Sequence, residues 1–177
     1  MRKHNGMRPQ DVVILMKMVS LGESRWRYSD IAQSLFISQS EVAEALNRSW
    51  QARLVDSSKK RVFRASLMEF LTYGLKYVFP AQPGSLVRGI PTAHSARPLS
   101  EMILSDKESF VWPSSIGSMR GQAVMPLYPS VIKAIRKDPL LYEMLALLDA
   151  IRVGRAREQN LAIEELSKRI KENVYAG

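Results

Sequence analysis

Ser38-Gln39-Ser40-Glu41 constrains this chain more than any other four residues. A hydroxyl residue followed three positions later by glutamate forms a capping box. The Ser38 hydroxyl accepts the Glu41 amide and the Glu41 carboxylate takes the Ser38 amide, so two orphan donors at a helix start are satisfied together. A helix is therefore expected over residues 38–53. Val42, Ala45, Leu46 and Trp50 share its apolar face, and Gln39, Ser40, Ala43, Glu44, Asn47 and Arg48 are left for the other.

The flanking segments surround this helix with others. "RPQDVVILMKMVSLGES" has Pro9 in a first-turn position, apolar residues at Val12, Leu15, Met16 and Val19, and Gly22 as its stop. After "RWRY", Ser29 is placed to cap a short helix whose Ile31, Ala32 and Leu35 share a face, and Ile37 marks the turn into Ser38. Downstream, Asp56, Ser57 and Ser58 are turn formers that let Val62 and Phe63 close a short hairpin onto Leu54 and Val55, with Lys59, Lys60 and Arg61 at its tip. A further helix is expected from Ser66 to Phe79, with Leu67, Phe70, Leu71 and Leu75 on its stripe and Pro80 at its end.

The texture changes at Pro80. Seven of the nine prolines lie between residues 80 and 130, which predicts a Pro/Gly-rich, mostly irregular middle, ordered by Trp112, Val124, Met125, Leu127 and Tyr128. Helix returns over Tyr128–Asp138 and then as one long or two abutting helices, with Gly154 at the break. The fold class expected is mainly α. Residues 1–79 form one domain, and 80–177 hold the irregular segment plus C-terminal helices for dimerisation, partner or effector binding. The stripe Leu141, Met144, Leu145, Leu148 and Ile151 is the expected dimerisation face.

Charge narrows the partner. The chain carries a formal +9, and residues 1–64 alone hold 12 Lys/Arg against 6 Asp/Glu. That excess points to a polyanion. Disulfides and thiolate chemistry are excluded, because there is no cysteine. The run "VVILM" is too short for a signal peptide, and no apolar stretch suits a membrane span, so a cytoplasmic, nucleoid-associated protein is expected. The two histidines, His4 and His94, assemble no metal or triad motif, and no phosphate-binding glycine signature occurs. No enzyme activity, metal or cofactor is expected. Two anion readings are His94 with Arg88 or Arg97, and Arg152, Arg155 and Arg157, whose alternative is ion pairs with Asp149 or Glu158.

The order helix, short helix, turn, capped helix and basic hairpin, carried by "YSDIAQSLFISQSEVAEALNR", "ARLV" and "SSKKRVFR", resembles the bacterial winged helix-turn-helix transcription regulators of the MarR-like class over residues 7–79. The resemblance implies that the helix at 38–53 enters the major groove of DNA and that the wing at 56–62 touches backbone or minor groove. Gln39 and Asn47 suit adenine, Arg48 guanine or a phosphate, and Glu44 a cytosine amino group; Ser40 and Ala43 complete the base-facing set. Arg25, Arg27, Ser29, Ser38, Lys59, Lys60 and Arg61 are the expected backbone contacts. Trp26 and Tyr28 read as structural. The expectation is a sequence-specific double-stranded DNA-binding regulator acting as a homodimer. The alternative is a winged-helix protein interaction module, antitoxin-like or a phage-defence accessory protein, with a protein partner through the C-terminal part; a third reading is a small-molecule sensor.

Overall fold

The computed structural model of the chain describes residues 6–104 and 108–172. Helix α1 spans Pro9–Leu21, opens with the Asp11 carboxylate accepting the Arg8 amide at 2.9 Å, and closes on Gly22 at φ 61°, where glycine carries no steric penalty. Helix α2 is Tyr28–Leu35. Its start is held by Asp30, whose carboxylate accepts the Arg27 amide at 2.7 Å, and not by Ser29, which lies inside the first turn. The α2 end is a Schellman motif: Ile37 N–H reaches Ala32 O at 3.0 Å and Phe36 N–H reaches Gln33 O at 3.4 Å. Phe36 therefore takes the left-handed position, φ 56°, that usually falls to glycine.

Helix α3, Gln39–Gln51, begins with the expected box: Glu41 N–H donates to Ser38 Oγ at 3.1 Å and Ser38 N–H to Glu41 Oε2 at 2.8 Å. The following hairpin is minimal. It consists of one antiparallel bridge, Val55 to Val62, flanked by Asp56 N–H to Arg61 O at 2.9 Å and Phe63 N–H to Leu54 O at 2.8 Å. The helix expected over 66–79 is divided at Gly74 into α4, Arg64–Tyr73, and α5, Leu75–Val78.

The middle of the chain is not wholly irregular, because a small sheet organises it. Strand β1, Leu86–Thr92, pairs antiparallel with both β2, Phe110–Pro113, and β3, Met119–Ala123; β2 and β3 pair in parallel, so the three strands close on one another. A Cβ on Gly117 would lie 2.0 Å from the Gly89 carbonyl carbon, so this closure depends on glycine. A short helix, α6 (Leu99–Met102), lies between β1 and β2. Helix α7, Val131–Ala134, runs into a 3-10 turn at Ile135–Lys137. Asp138 then caps α8, Pro139–Val153, and Gly154 separates it from α9, Ala156–Glu172. The molecule is mainly helical with a small three-stranded sheet.

Helix α8 is the centre of the core. It packs against α1, α5, α9 and β1, and Leu141, Met144, Leu145, Leu148 and Ile151 are each no more than 2% exposed. The expected dimerisation stripe is thus the interior of the single chain, not a face open to a second copy. Ile14, Leu35, Leu46 and Leu71 belong to the same apolar cluster as Leu148, Leu166 and Ile170. The textural change at Pro80 is therefore no gap in packing.

One buried polar knot ties sheet to helix. The Asp149 carboxylate accepts from Thr92 Oγ1 at 2.7 Å, Trp112 Nε1 at 2.6 Å and Arg152 Nη1 at 2.9 Å, while Arg152 Nε donates to Phe79 O at 2.9 Å. Burial pushes the Asp149 carboxyl above the usual carboxylate range, opposed by the Arg152 guanidinium and the two neutral donors. Arg152 is consumed here, so the pocket with Arg155 and Arg157, both exposed, is not assembled. Among the described residues no helix is long and apolar enough to cross a membrane.

Candidate nucleic-acid interface

The solvent side of α3 follows from its buried side. Val42, Ala45, Leu46 and Ser49 face the core, which turns Ser40, Glu44, Asn47 and Gln51 outward along one line; Gln39 is exposed at the first turn and Ala43 is half-buried at the margin. Trp50, expected on the apolar face, lies at its edge and is 48% exposed.

Arg48 corrects the base-contact set. It sits on the opposite edge, where α1 crosses α3, and is only 9% exposed. Its Nε and Nη2 each donate to the Asp11 carboxylate at 2.8 Å, a bidentate pair with a carboxylate that is itself 0% exposed. The hydrogen bonds to Asp11 raise the Arg48 pKa further above its ordinary value. No spacing rule foretells this, because Asp11 lies 37 residues away. Glu44 stays exposed, with Oε2 at 3.8 Å from Arg48 Nη1, which tempers its charge on the outward face.

Glu41 is a fastening, turned away from that face. Its Oε1 accepts from Gln10 Nε2 and from Tyr128 OH, each at 3.1 Å, in addition to the Ser38 contacts of Oε2. The Ser38 amide, with help from Gln10, the Ser38 hydroxyl and Tyr128, lowers its pKa from 4.5 to about 2. The start of α3 is thereby anchored both to α1 and to the segment before α7.

The basic turn reaches α3 and the α1–α2 link. The Lys59 ammonium donates to the Asn47 side-chain oxygen and lies 5.8 Å from the centre of the Trp50 ring. Lys60 donates to Trp26 O at 3.0 Å and sits 3.9 Å from the Trp26 ring centre and 4.9 Å from that of Tyr28. Those two rings stack at 6.1 Å and pack against the core, the structural role expected of them. Asp56 shapes the turn by accepting the Lys60 and Arg61 amides, each at 3.0 Å, and the Ser58 hydroxyl holds its carboxyl below the usual range.

Arg25, Arg27 and Arg61 are exposed, Ser29 is half-buried in α2, and Ser38 is exposed but engaged in its cap. Between the α1–α2 link and the segment 56–66 lies an open groove of about 1410 Å³, lined by Arg25, Lys60, Arg61 and Arg64 among other residues, with Glu23 and Asp56 as its acids. Arg64 is turned toward the interior, donates to Ile170 O, and has its pKa lowered by burial.

Two cations escape a reading of the sequence. Arg53 is exposed just past α3, and Lys133 of α7 lies 6.0 Å from the centre of the Phe36 ring at the α2–α3 turn. Lys133 is 97 residues from Phe36 in sequence, so only packing unites them.

The other anion reading dissolves. Arg88 donates to Gly117 O at 2.7 Å, Arg97 pairs with Glu101 at 2.8 Å, and His94 is buried edge-on against Phe110. His4 lies outside the described residues. Among the described residues no group of three or more His, Asp or Glu side chains could hold a metal ion. The chain matches no family model, no curated protein and no solved structure.

Proposed function

We propose that this chain is a sequence-specific, double-stranded DNA-binding transcription regulator in which α3 enters the major groove and the 56–62 turn acts as a winged helix-turn-helix wing on the backbone. The observation that carries it is the contact of Lys59 with Asn47, which joins the polar outward face of α3 and the basic turn into one surface. A helix presented this way fits a groove about 12 Å wide. Gln39, Ser40, Ala43, Glu44 and Asn47 form the base-facing set, and Arg48 leaves it. Lys59, Lys60, Arg61, Arg25 and Arg27 supply phosphate contacts, which give affinity without sequence information.

Two copies would read half-sites roughly 34 Å apart or a multiple of that, with their contact made outside α8. The test is selection of bound duplex from a random pool with the full chain. Recovery of a common motif supports the reading, and two inverted copies of it support the dimer. A pool without enrichment, together with no duplex affinity at low salt, overturns the proposal.

A winged-helix module for a protein partner draws on a different observation. Tyr73, Tyr77 and Val78 on α4 and α5 are 75%, 73% and 53% exposed, a local apolar concentration of the kind that marks protein contacts. Its signature is a chain that binds no duplex.

A further inference from the structure

We propose that Lys133 and Arg136 form a second backbone clamp on DNA, placed at the opposite end of α3 from the wing. The inference rests on the DNA reading above and extends it to the C-terminal half of the chain, to which the sequence assigns no DNA contact.

Val131, Ala134 and Ile135 are buried, so the helical spacing turns Lys133, Arg136 and Lys137 outward on the opposite side. That basic face is fixed against the beginning of α3 by two contacts: α7 packs on α2, with Lys133 over the ring of Phe36, and Tyr128 OH donates to Glu41 in the first turn of α3. Asp138, the acid nearest in sequence, is taken by Lys17 at 2.7 Å. Lys133 and Arg136 make no ion pair with the described residues, so their charge stays available.

The wing meets α3 at Asn47, whereas Lys133 meets the turn just before Gln39. Gln39 and Asn47 are eight residues apart, so at 1.5 Å per residue the two contacts lie toward opposite ends of α3, on the order of 12 Å apart along its axis. Cations at both ends of α3 neutralise phosphates at two separate places along the groove, which fixes the helix's register where one wing alone would let it pivot. Phe36 supports the arrangement. It is 59% exposed in a left-handed conformation, and its ring centre lies 6.0 Å from the Lys133 ammonium.

The experiment measures affinity of the full chain for a fluorescein-labelled mixed-sequence duplex by anisotropy, between about 50 and 200 mM salt. Wild type is compared with Lys133→Ala/Arg136→Ala and with the wing variant Lys59→Ala/Lys60→Ala/Arg61→Ala. The slope of log affinity against log salt should fall by about 0.9 for each phosphate no longer neutralised, in the Lys133/Arg136 variant as well as in the wing variant. Lys133→Arg should keep the wild-type slope. A Lys133/Arg136 variant that keeps the wild-type slope and circular dichroism, while the wing variant loses slope, overturns the clamp and leaves the DNA reading standing. Weaker binding with an unchanged slope also overturns it, because that marks a structural role. Should the alanine pair lose the native dichroism, Lys133→Gln/Arg136→Gln carries the same comparison. Wild type that binds no duplex at the lowest salt overturns the DNA reading and the clamp together.

Discussion

At the scale of single residues, charge is used here for two incompatible purposes, and burial decides which. Arg48 and Lys60 are equally suited to DNA by type and position in the sequence, yet Arg48 is locked onto Asp11 in the interior while Lys60 is exposed. Truncating Arg48→Ala strands a fully buried carboxylate, and urea unfolding should show a loss of about 3–5 kcal/mol. Replacing both partners with apolar residues, Arg48→Met with Asp11→Leu, should recover only part of that loss, because Asp11 also accepts the Arg8 amide at the start of α1. A single variant as stable as wild type would show that the pair carries no structural weight.

Glu41 gives the residue-scale pH dependence. Its folded pKa of about 2 lies below the ordinary 4.5, so the folded state favours the carboxylate. The stability this confers is complete above pH 4.5 and is lost as pH falls toward 2. Glu41→Gln should therefore flatten the acid limb of the unfolding free energy across that window, measured by denaturant titration at stepped pH. An unchanged acid limb would place the linkage elsewhere.

At the scale of elements, α3 and the hairpin divide the labour proposed for them. The outward line Ser40, Glu44 and Asn47 is polar and carries a single charge, whereas the turn at 59–61 is wholly basic. Asn47→Ala should cost about 1–3 kcal/mol on a selected site and much less on unrelated duplexes. Lys59→Ala/Lys60→Ala/Arg61→Ala should weaken all duplexes alike and flatten the salt dependence by about 0.9 per phosphate. Competition titrations separate these outcomes, and uniform loss from Asn47→Ala would show that it does not read bases. These elements are largely legible in the sequence, since the Ser38–Glu41 box, the Pro9 start, the Gly22 stop and the Asp56 turn act through neighbours within a few residues. Where expectation and structure part, a competing local group wins: Asp30 takes the cap expected of Ser29, and Gly74 interrupts the helix expected to reach Phe79.

At the scale of the whole molecule, the helical N-terminal third is not an appendage joined to a separate dimerisation arm. Helix α1 packs on α8, α4 on α9 and α5 on α8. A chain ending at residue 79 loses that support. The five α8 side chains whose spacing suggests an interface are each worth about 1.5–3 kcal/mol of burial, which together is comparable to the ~5–15 kcal/mol that holds a typical domain together. The truncated chain should show no cooperative thermal transition and no near-ultraviolet dichroism, whereas the full chain melts in one step. A cooperative melt of the fragment would restore two independent domains.

The sequence by itself determined what depends on close neighbours along the chain: the helix starts and stops of α1 and α3, the basic turn at 59–61, and the position of the break at Gly154. Apolar periodicity likewise marked Leu141 to Ile151 as an apolar stripe, because spacing reports that a face avoids water. It does not report what covers that face. Only the tertiary structure decided that the cover is the chain's own α1, α5, α9 and β1, that Arg48 serves Asp11, and that Lys133 stands beside Phe36. The three closed strands were hidden for the same reason. Pro91, Pro113 and Gly89 are poor strand formers locally, and they are tolerated because long-range pairing and packing on α8 outweigh local preference.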